Sequence, residues 1–318
     1  MKYLAIGGSV TTIGNEAFAD CSNLTEAHID SGVTSIGNGA FKKCKNLYKI
    51  YIAESVNKIG EKAFDECGTV NSARLPFLGE NNTDASTSFL GFGKNGGYSW
   101  VFGTTSVENI EITKMSTIYT NTFKGGAGSI KTVAFSSTTI KIEDSAFENF
   151  GSLTSVSLPS SIITIGEKAF KNCYALKNIN VPAKVTTISK AMFENCYSLE
   201  MNISELTVRS IEARAFYGCS QIGRNGTVDI GNGHNALQFN TALESIGANA
   251  FANCYRIEAA IFTYHLKDVD VNAFGMFPNI TIYVYEDSEQ VKYEELFKMY
   301  NGVKIQSLFT LDEEESKK

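Results

Sequence analysis

One stretch of the sequence, Val33-Thr34-Ser35-Ile36-Gly37-Asn38-Gly39-Ala40-Phe41-Lys42-Lys43-Cys44, contains the pattern that decides the fold. The pattern recurs along the chain, and its phenylalanine usually returns after 23 residues. The eleven marker phenylalanines are Phe18, Phe41, Phe64, Phe102, Phe123, Phe147, Phe170, Phe193, Phe216, Phe251 and Phe274. A fixed period of this length predicts a solenoid of stacked repeats, because no single unit can bury its own apolar residues.

The repeated unit reads V-x-x-I-G-x-x-A-F-x-x-C-x-x-L-x-x-I-x-I, and its two halves have different periods. The L-x-x-I-x-I end alternates apolar and polar residues, which predicts a short strand with one buried face. In the I-G-x-x-A-F-x-x-C-x-x-L part, apolar residues lie three to four positions apart, which predicts one or two turns of α or 3₁₀ helix. Stacking should place each Phe on the next Phe and each Ile on the next Ile.

The unit resembles the BspA-like leucine-rich repeats. The resemblance covers nearly the whole chain, from about Leu4 to Ile305. It implies an α/β leucine-rich-repeat horseshoe, with a parallel β-sheet on the concave face and short helical or 3₁₀ turns on the convex face. It also implies a microbial protein that is secreted or held at the cell surface, where such proteins are thought to act in adhesion and host interaction. A repeat scaffold hosts many binding functions, so the function does not follow from the fold alone.

Deviations from the period define the expected domain organisation. Residues 1–286 are predicted to form the solenoid, with about eleven repeats and with insertions near 77–100 and 223–240. Residues 287–306 are predicted to be a C-terminal helical cap, and 307–318 a polar tail. The chain starts inside the repeat pattern, at a strand like that of later units. We therefore expect the native protein to extend upstream and to carry a signal peptide that this chain lacks.

The charge balance, the lengths of the apolar stretches and the absence of catalytic motifs argue against several classes of function. Lys and Arg number 28 against 34 Asp and Glu, a net charge of −6, which argues against nucleic acid as a partner. No stretch approaches 18 consecutive apolar residues, so no membrane span is expected in this fragment. The sequence has no G-x-S-x-G, H-E-x-x-H or Walker A motif, and its three histidines lie far apart. We therefore expect no catalytic site, no metal and no cofactor.

All seven cysteines lie three residues after a marker phenylalanine: Cys21, Cys44, Cys67, Cys173, Cys196, Cys219 and Cys254. Phenylalanine fills the same position in other repeats, at Phe150 and Phe277, which indicates a buried apolar slot. Zinc sites need cysteines a few residues apart, and the closest pair here is 23 apart. Cysteines on neighbouring repeats should lie within disulfide range of each other, but with parallel side chains. The pattern favours structural thiols.

One candidate binding surface can be named from the repeat phase. The strand residues that flank the buried pair should point to the concave face, and in the N-terminal repeats they are charged or aromatic. The candidate ligand-binding residues are Glu26, His28, Asp30, Lys49, Tyr51, Arg74 and Glu111. Tyr51 and Arg74 should lie on adjacent strands roughly 5 Å apart. An ordinary solvated sheet face is the alternative interpretation of these residues.

The sequence therefore predicts a noncatalytic binding or adhesion module that recognises a host protein or a glycan through its concave face. The alternative is a structural spacer that presents another domain. An enzyme is improbable, because no catalytic arrangement is visible. The aromatic residues near 89–100 form either a binding loop or the small core of that insertion.

Overall fold

The computed structural model describes residues 1–80, 101–120, 122–123, 128–230, 235–275, 279–285, 287–298 and 303–308. These residues form a solenoid of stacked repeats made of parallel strands. Within the described ranges, helix is confined to one 3₁₀ turn and one α-helix. The chain divides into two compact units, residues 1–163 and 164–318.

Within the described residues, the first unit contributes seven longer and five shorter strands. The strands in chain order are β1 (Tyr3–Ile6), β2 (Thr12–Ile13), β3 (Glu26–Ile29), β4 (Ser35–Ile36), β5 (Lys49–Ile52), β6 (Lys58–Ile59), β7 (Thr69–Leu75), β8 (Ser106–Ile112), β9 (Thr117–Ile118), β10 (Thr132–Phe135), β11 (Lys141–Ile142) and β12 (Ser155–Ser157). The longer strands form one parallel sheet, β1-β3-β5-β7-β8-β10-β12. The shorter strands form two further parallel sheets, β2-β4-β6 and β9-β11.

The register between repeats puts equivalent residues side by side. In β3 and β5, for example, Ala27 lies opposite Ile50 and Ile29 opposite Ile52, and all four are buried. The marker phenylalanines stack as predicted: the ring centroids of Phe41 lie 5.2 Å from Phe18 and 5.0 Å from Phe64. The core of the first unit is therefore a set of parallel apolar rows along the stacking axis.

The segment around each marker phenylalanine forms consecutive turns, and the prediction of helical or 3₁₀ turns there is wrong. Residues two before and two after the phenylalanine have left-handed backbone angles, such as Glu16 (φ 53°) and Asp20 (φ 57°), and a right-handed helix cannot contain them. Their N–H groups reach across to the next repeat, as in Glu16 N to Asn38 O (2.9 Å) and Asp20 N to Lys42 O (2.8 Å). These hydrogen bonds between repeats replace the bonds within a helix.

The long insertion lies mostly outside the described residues, so neither role predicted for its aromatic residues is tested. The chain returns from it at Val101, and Asp65 holds the returning segment. One carboxylate oxygen of Asp65 accepts hydrogen bonds from the Thr104 N–H (2.8 Å) and hydroxyl (2.9 Å). Asp65 is buried, and these donors compensate the burial of its carboxylate. Phe102 then rejoins the phenylalanine row, 6.0 Å from Phe64.

The second unit repeats the plan. Its strands are β13 (Thr164–Ile165), β14 (Asn178–Ile179), β15 (Thr187–Ile188), β16 (Ser210–Ile211), β17 (Thr227–Asp229), β18 (Asn235–Gln238), β19 (Ser245–Ile246), β20 (Ala259–Phe262), β21 (Asp268–Val269), β22 (Ile280–Val284) and β23 (Val303–Ser307). A 3₁₀ turn spans Ile203–Glu205, and helix α1 spans Asp287–Phe297. Short strands pair in the order β15-β16-β19-β21, and longer strands in the order β17-β18-β20-β22-β23.

The second insertion, near 223–240, forms an antiparallel hairpin within this parallel architecture. Strand β17 pairs with β18, with Thr227 opposite Leu237, and β18 then pairs in parallel with β20. Phe216 and Phe251 remain adjacent, with ring centroids 5.3 Å apart, although 35 positions separate them. The insertion therefore leaves the row of marker phenylalanines uninterrupted.

Helix α1 and strand β23 occupy the segment predicted as a helical cap. Tyr293 of α1 is buried, its hydroxyl donates a hydrogen bond to the Leu266 carbonyl (3.0 Å), and its ring meets Phe262 edge-on at 5.1 Å. Strand β23 continues the sheet beside β22. Most of the predicted polar tail, 309–318, lies outside the described residues.

Candidate functional site

The exposed face of the first unit's longer-strand sheet brings six of the seven predicted site residues into two straight rows. The first row contains Glu26 and Lys49, which lie opposite each other. The second row follows the register from strand to strand: His28, Tyr51, Arg74 and Glu111. The predicted juxtaposition of Tyr51 and Arg74 is present. We call His28, Tyr51, Arg74 and Glu111 the central row.

The seventh predicted residue, Asp30, lies beside these rows. Asp30 follows β3 directly, and its N–H donates to the Ile6 carbonyl at 2.7 Å, so it continues the hydrogen-bonded face one position beyond the strand. All seven predicted residues therefore lie on or beside one sheet face.

Side-chain contacts join the central row into one continuous stack. The rings of His28 and Tyr51 stack with centroids 5.7 Å apart at an angle of 19°. The guanidinium carbon of Arg74 lies 5.0 Å from the centroid of Tyr51, within cation–π range. Arg74 Nε donates to Glu111 Oε1 at 3.0 Å. Each member is thus held by its neighbour, which lowers the conformational entropy that a partner would have to remove on binding.

The charges on this face alternate in sign. Burial by itself lowers the pKa of Arg74, but its hydrogen bond and ion pair with Glu111 outweigh burial and raise that pKa, so the guanidinium stays charged. Both side chains of this pair are partly exposed, at 31% and 46%, so the pair adds little to stability and mainly orients the two groups. At the other end, His28 Nε2 lies 3.4 Å from Glu26 Oε2.

Sequence reasoning missed residues at both ends of the central row. Tyr3 of β1 is 54% exposed and its ring lies 5.0 Å from His28, so the aromatic stack begins one strand earlier. Beyond Arg74, a polar network runs across β7, β8 and β10. In it Lys131 Nζ donates to Glu108 Oε1 (2.6 Å), Asn71 Nδ2 to Glu108 Oε2 (3.1 Å), and Thr132 to Asn109 (2.7 Å).

The network depends on a local departure from strand alternation. In β7 the consecutive residues Asn71 and Ser72 are both half-buried, and in β8 Glu108 and Asn109 are as well. These residues fill the two positions between the first and second apolar residues of the L-x-x-I-x-I pattern, and the two strands stay in register through them. The repeat phase aligns these positions but does not specify the side chains that bond across them.

The cysteines are free thiols, and six of the seven are buried; Cys21 in the first repeat is half-exposed. The slot is more specific than a small apolar position. The thiol donates to the carbonyl of the preceding marker phenylalanine, as in Cys67 to Phe41 O (3.1 Å) and Cys219 to Phe193 O (3.0 Å). Thr105 fills the slot in its repeat and donates to Phe64 O at 2.6 Å. In these repeats the slot therefore holds a small side chain that donates a hydrogen bond to the neighbouring repeat.

Burial should make these thiols unreactive in the folded protein. Burial raises the pKa of Cys44 to about 11 and that of Cys67 to about 12, so little nucleophilic thiolate forms at mildly alkaline pH. We expect Ellman's reagent to label no thiol other than Cys21 quickly in native protein, and all seven in guanidinium chloride. Rapid native labelling of a second cysteine, or a disulfide found by mass spectrometry, would contradict this assignment.

The described residues contain no group of three or more His, Cys, Asp or Glu side chains that could hold a metal ion. In the same part of the chain, no helix has the length and apolar character needed to span a membrane. The arrangement on the sheet face can form ion pairs, hydrogen bonds and aromatic contacts with a partner.

Comparison with known proteins identifies the repeat. The family model for the BspA type leucine-rich repeat region matches six copies, over residues 1–88, 98–223 and 232–311. A comparison with curated proteins finds no match.

Several solved structures are similar to this chain. A leucine-rich repeat protein from Eubacterium ventriosum is 22% identical, with 86% of this chain and 82% of that chain covered and a TM-score of 0.44. The pneumococcal vaccine antigen PcpA is 14% identical, with 96% and 79% covered and a TM-score of 0.40. A leucine-rich cell surface protein from Faecalibacterium prausnitzii is 19% identical, with 96% and 79% covered and a TM-score of 0.30.

Proposed function

This chain belongs to the BspA-type leucine-rich repeat family, and from that premise we propose that it is a noncatalytic binding module of a microbial cell-surface or secreted protein. Its binding surface is the exposed sheet face of the first unit, centred on the central row. The observation that carries the proposal is the continuous stack from His28 through Tyr51 and Arg74 to Glu111. Tyrosine and arginine are enriched among residues that dominate binding energy.

The geometry favours a protein over a glycan as the partner of this face. Glycans are held on aromatic rings through a free ring face. In Tyr51, His28 covers one face and the Arg74 guanidinium lies over the ring as well. What the row offers outward is polar: a hydroxyl, an imidazole, a guanidinium and a carboxylate. Such a strip of both charges, with Lys49 and Asp30 beside it, complements a polar protein surface of alternating charge.

A structural spacer, the other role considered for such a repeat array, has no need for an organised row on one face. The middle of the same sheet shows what a plain solvated face looks like, since Ala134 and Ser157 hold the positions equivalent to Tyr51. The concentration of large side chains at one end supports binding there. The horseshoe curvature and the extracellular location stay predictions that follow from the family.

A matrix-protein and glycan array tests this proposal. We expect the wild-type chain to retain one or more proteins, and the double variant Tyr51→Ala/Arg74→Ala to lose about a hundredfold in affinity for them. The control is Ser155→Ala/Ser157→Ala on the same sheet. All four side chains lie on the exposed sheet face, so both variants should keep the wild-type melting temperature. Equal binding by the Tyr51/Arg74 variant, or a loss confined to the serine variant, would show that the face is wrongly assigned.

A further inference from the structure

The second unit, residues 164–318, has a further candidate binding surface on the turns that follow its marker phenylalanines. Two rows of side chains run there from repeat to repeat. Four residues after each phenylalanine come Tyr174, Tyr197, Ser220 and Tyr255, and two residues after it come Asn172, Asn195, Gly218 and Asn253. Both rows lose their large side chains in the same repeat, at Gly218 and Ser220. The result is a gap one repeat wide between Tyr197 and Tyr255.

The rows are well ordered up to the gap. Tyr174 and Tyr197 stack with centroids 5.3 Å apart at 8°, and both are nearly half exposed. Asn195 Nδ2 donates to Asn172 Oδ1 at 2.8 Å. Tyr174 therefore covers one face of Tyr197, and the other face is directed along the row toward the gap.

Two small residues keep the gap open. A Cβ atom added at Gly218 would lie 3.6 Å from Tyr197 Cε1 and 2.8 Å from Asn195 Oδ1, so any side chain there would occupy space beside the Tyr197 ring. Ser220 directs its hydroxyl to the backbone, where it donates to the Tyr197 carbonyl at 3.1 Å. Neither residue can cover the free face of Tyr197.

The repeats on both sides of the gap are packed normally. Phe216 lies 5.4 Å from Phe193 and 5.3 Å from Phe251, so the repeat that contains the gap is fully stacked in the core. Tyr197 and Tyr255 are therefore two repeat spacings apart, about 10 Å along the stacking axis. Tyr255 is 78% exposed and can adjust its ring toward a ligand.

The width and the charge of the gap indicate its ligand. Carbon atoms in contact lie about 3.5–4.0 Å apart, so a flat ring placed between two tyrosines needs about 7–8 Å. A pyranose ring is thicker, because C–H bonds project from both of its faces, and it fits the wider gap better. Both rows consist of neutral residues, and the nearby charges of Lys171, Glu194 and Arg214 are paired with one another. A neutral polyol with an apolar ring face matches these surroundings.

We propose that the gap between Tyr197 and Tyr255 binds one pyranose ring of a neutral glycan chain. Tyr197 stacks on one face of the sugar and Tyr255 closes on the other. Ser220 forms the floor, and the amides of Asn195 and Asn253 flank the gap as partners for the sugar hydroxyls. This site is independent of the central row, which lies in the other unit and offers no free aromatic face.

Saturation-transfer NMR with three probes, maltohexaose, cellohexaose and N-acetylchitohexaose, tests the proposal on the full chain. We expect transfer to the ring protons of at least one of these hexasaccharides. Ser220→Tyr should continue the tyrosine row, fill the gap and lower the affinity about tenfold or more, while the chain stays folded. Tyr48→Ala, which removes a 55% exposed tyrosine of the first unit, is the control and should bind like wild type.

A second variant and a second type of probe keep the test decisive. Tyr255→Ala removes an exposed side chain without filling the gap, and it should weaken binding even if Ser220→Tyr fails to fold. N-acetyltyrosine amide represents an aromatic side chain of a protein partner. The proposal is overturned if none of the three hexasaccharides binds, if Ser220→Tyr and Tyr255→Ala bind as tightly as wild type, or if N-acetyltyrosine amide occupies the gap in place of the sugars.

Discussion

Replacing Phe193 by alanine should lower the free energy of unfolding by about 3–5 kcal/mol, the usual cost of removing a fully buried phenylalanine. Its side chain is completely buried, and it stacks between Phe170 at 5.6 Å and Phe216 at 5.4 Å. The cavity cannot close easily, because the hydrogen bonds between successive turns hold the repeats at a fixed spacing. Phe193 N, for example, donates to Ala215 O at 2.8 Å.

Urea unfolding followed by circular dichroism measures this change. Tyr174→Ala is a matched control, since Tyr174 also stacks on the equivalent side chain of the next repeat but is 46% exposed. We expect the control to cost about 1 kcal/mol or less. Equal losses in the two variants, or a loss below about 1 kcal/mol for Phe193→Ala, would show that the phenylalanine row does not hold the repeats together.

Replacing Arg214 by methionine should have the second-largest effect, a loss of about 2 kcal/mol at neutral pH. Arg214 donates two hydrogen bonds to the Glu194 carboxylate, at 2.7 and 3.2 Å. Lys171 Nζ lies 3.4 Å from Glu194 Oε1. The Glu194 side chain is only 7% exposed, so loss of the guanidinium leaves a buried charge poorly compensated. The expected loss is smaller than for a fully buried pair, because Arg214 itself is 41% exposed and water can reach the site.

The pH dependence of stability checks the same interaction. Burial raises the pKa of Glu194, but the hydrogen bonds and charge of Arg214, together with Lys171, outweigh burial and lower it below 4.5, its ordinary value. A carboxyl group with a lowered folded pKa stabilises the protein above its unfolded pKa, and the contribution is lost as the pH falls through the folded pKa. Arg214→Met removes the main cause of that lowered pKa, so the stability difference between wild type and Arg214→Met should be largest near neutral pH and should shrink as the pH falls below about 4.5.

The double variant Glu194→Met/Arg214→Met separates a buried unpaired charge from lost packing. Removal of both charges should restore part of the stability lost in Arg214→Met. Equal stabilities of the single and double variants at neutral pH would mean that the carboxylate is hydrated and that the pair is unimportant.

Repeat phase alone was sufficient to predict the stacking partners. The 23-residue spacing placed Tyr51 beside Arg74 and the marker phenylalanines on one another, because strand register in a parallel sheet transmits sequence phase directly into space. The gap at Gly218 and Ser220 could have been found in the same way, by comparing the positions two and four residues after each phenylalanine.

Phase could not predict the backbone conformation of the turns. Glu16, Lys168 and Arg214 adopt left-handed angles although none of them is glycine or asparagine, the residues that usually mark such positions. Hydrogen bonds to the next repeat stabilise that conformation, and apolar spacing of three to four residues cannot distinguish it from a helix. The donor role of the cysteine slot was hidden for a similar reason, because phenylalanine also occurs there.

The sequence located the departures from the period but did not predict the contacts that form there. Tyr3 lies in β1, before the first marker phenylalanine, and the contact of Lys131 with Glu108 is a side-chain hydrogen bond that the repeat pattern does not specify. The antiparallel pairing of β17 and β18 lies in an insertion, where the repeat gives no information.

The most direct test of the proposed binding face is an alanine scan along the central row, with affinities for the partner found on the array measured by calorimetry. His28, Tyr51, Arg74 and Glu111 are replaced one at a time, and Ser155 and Ser157 on the same sheet serve as controls. We predict a profile that peaks at Tyr51 and Arg74, with losses of about tenfold or more there and less than about twofold at Ser155 and Ser157. A flat profile, or a maximum at Ser155 or Ser157, would contradict the assignment of function to this row.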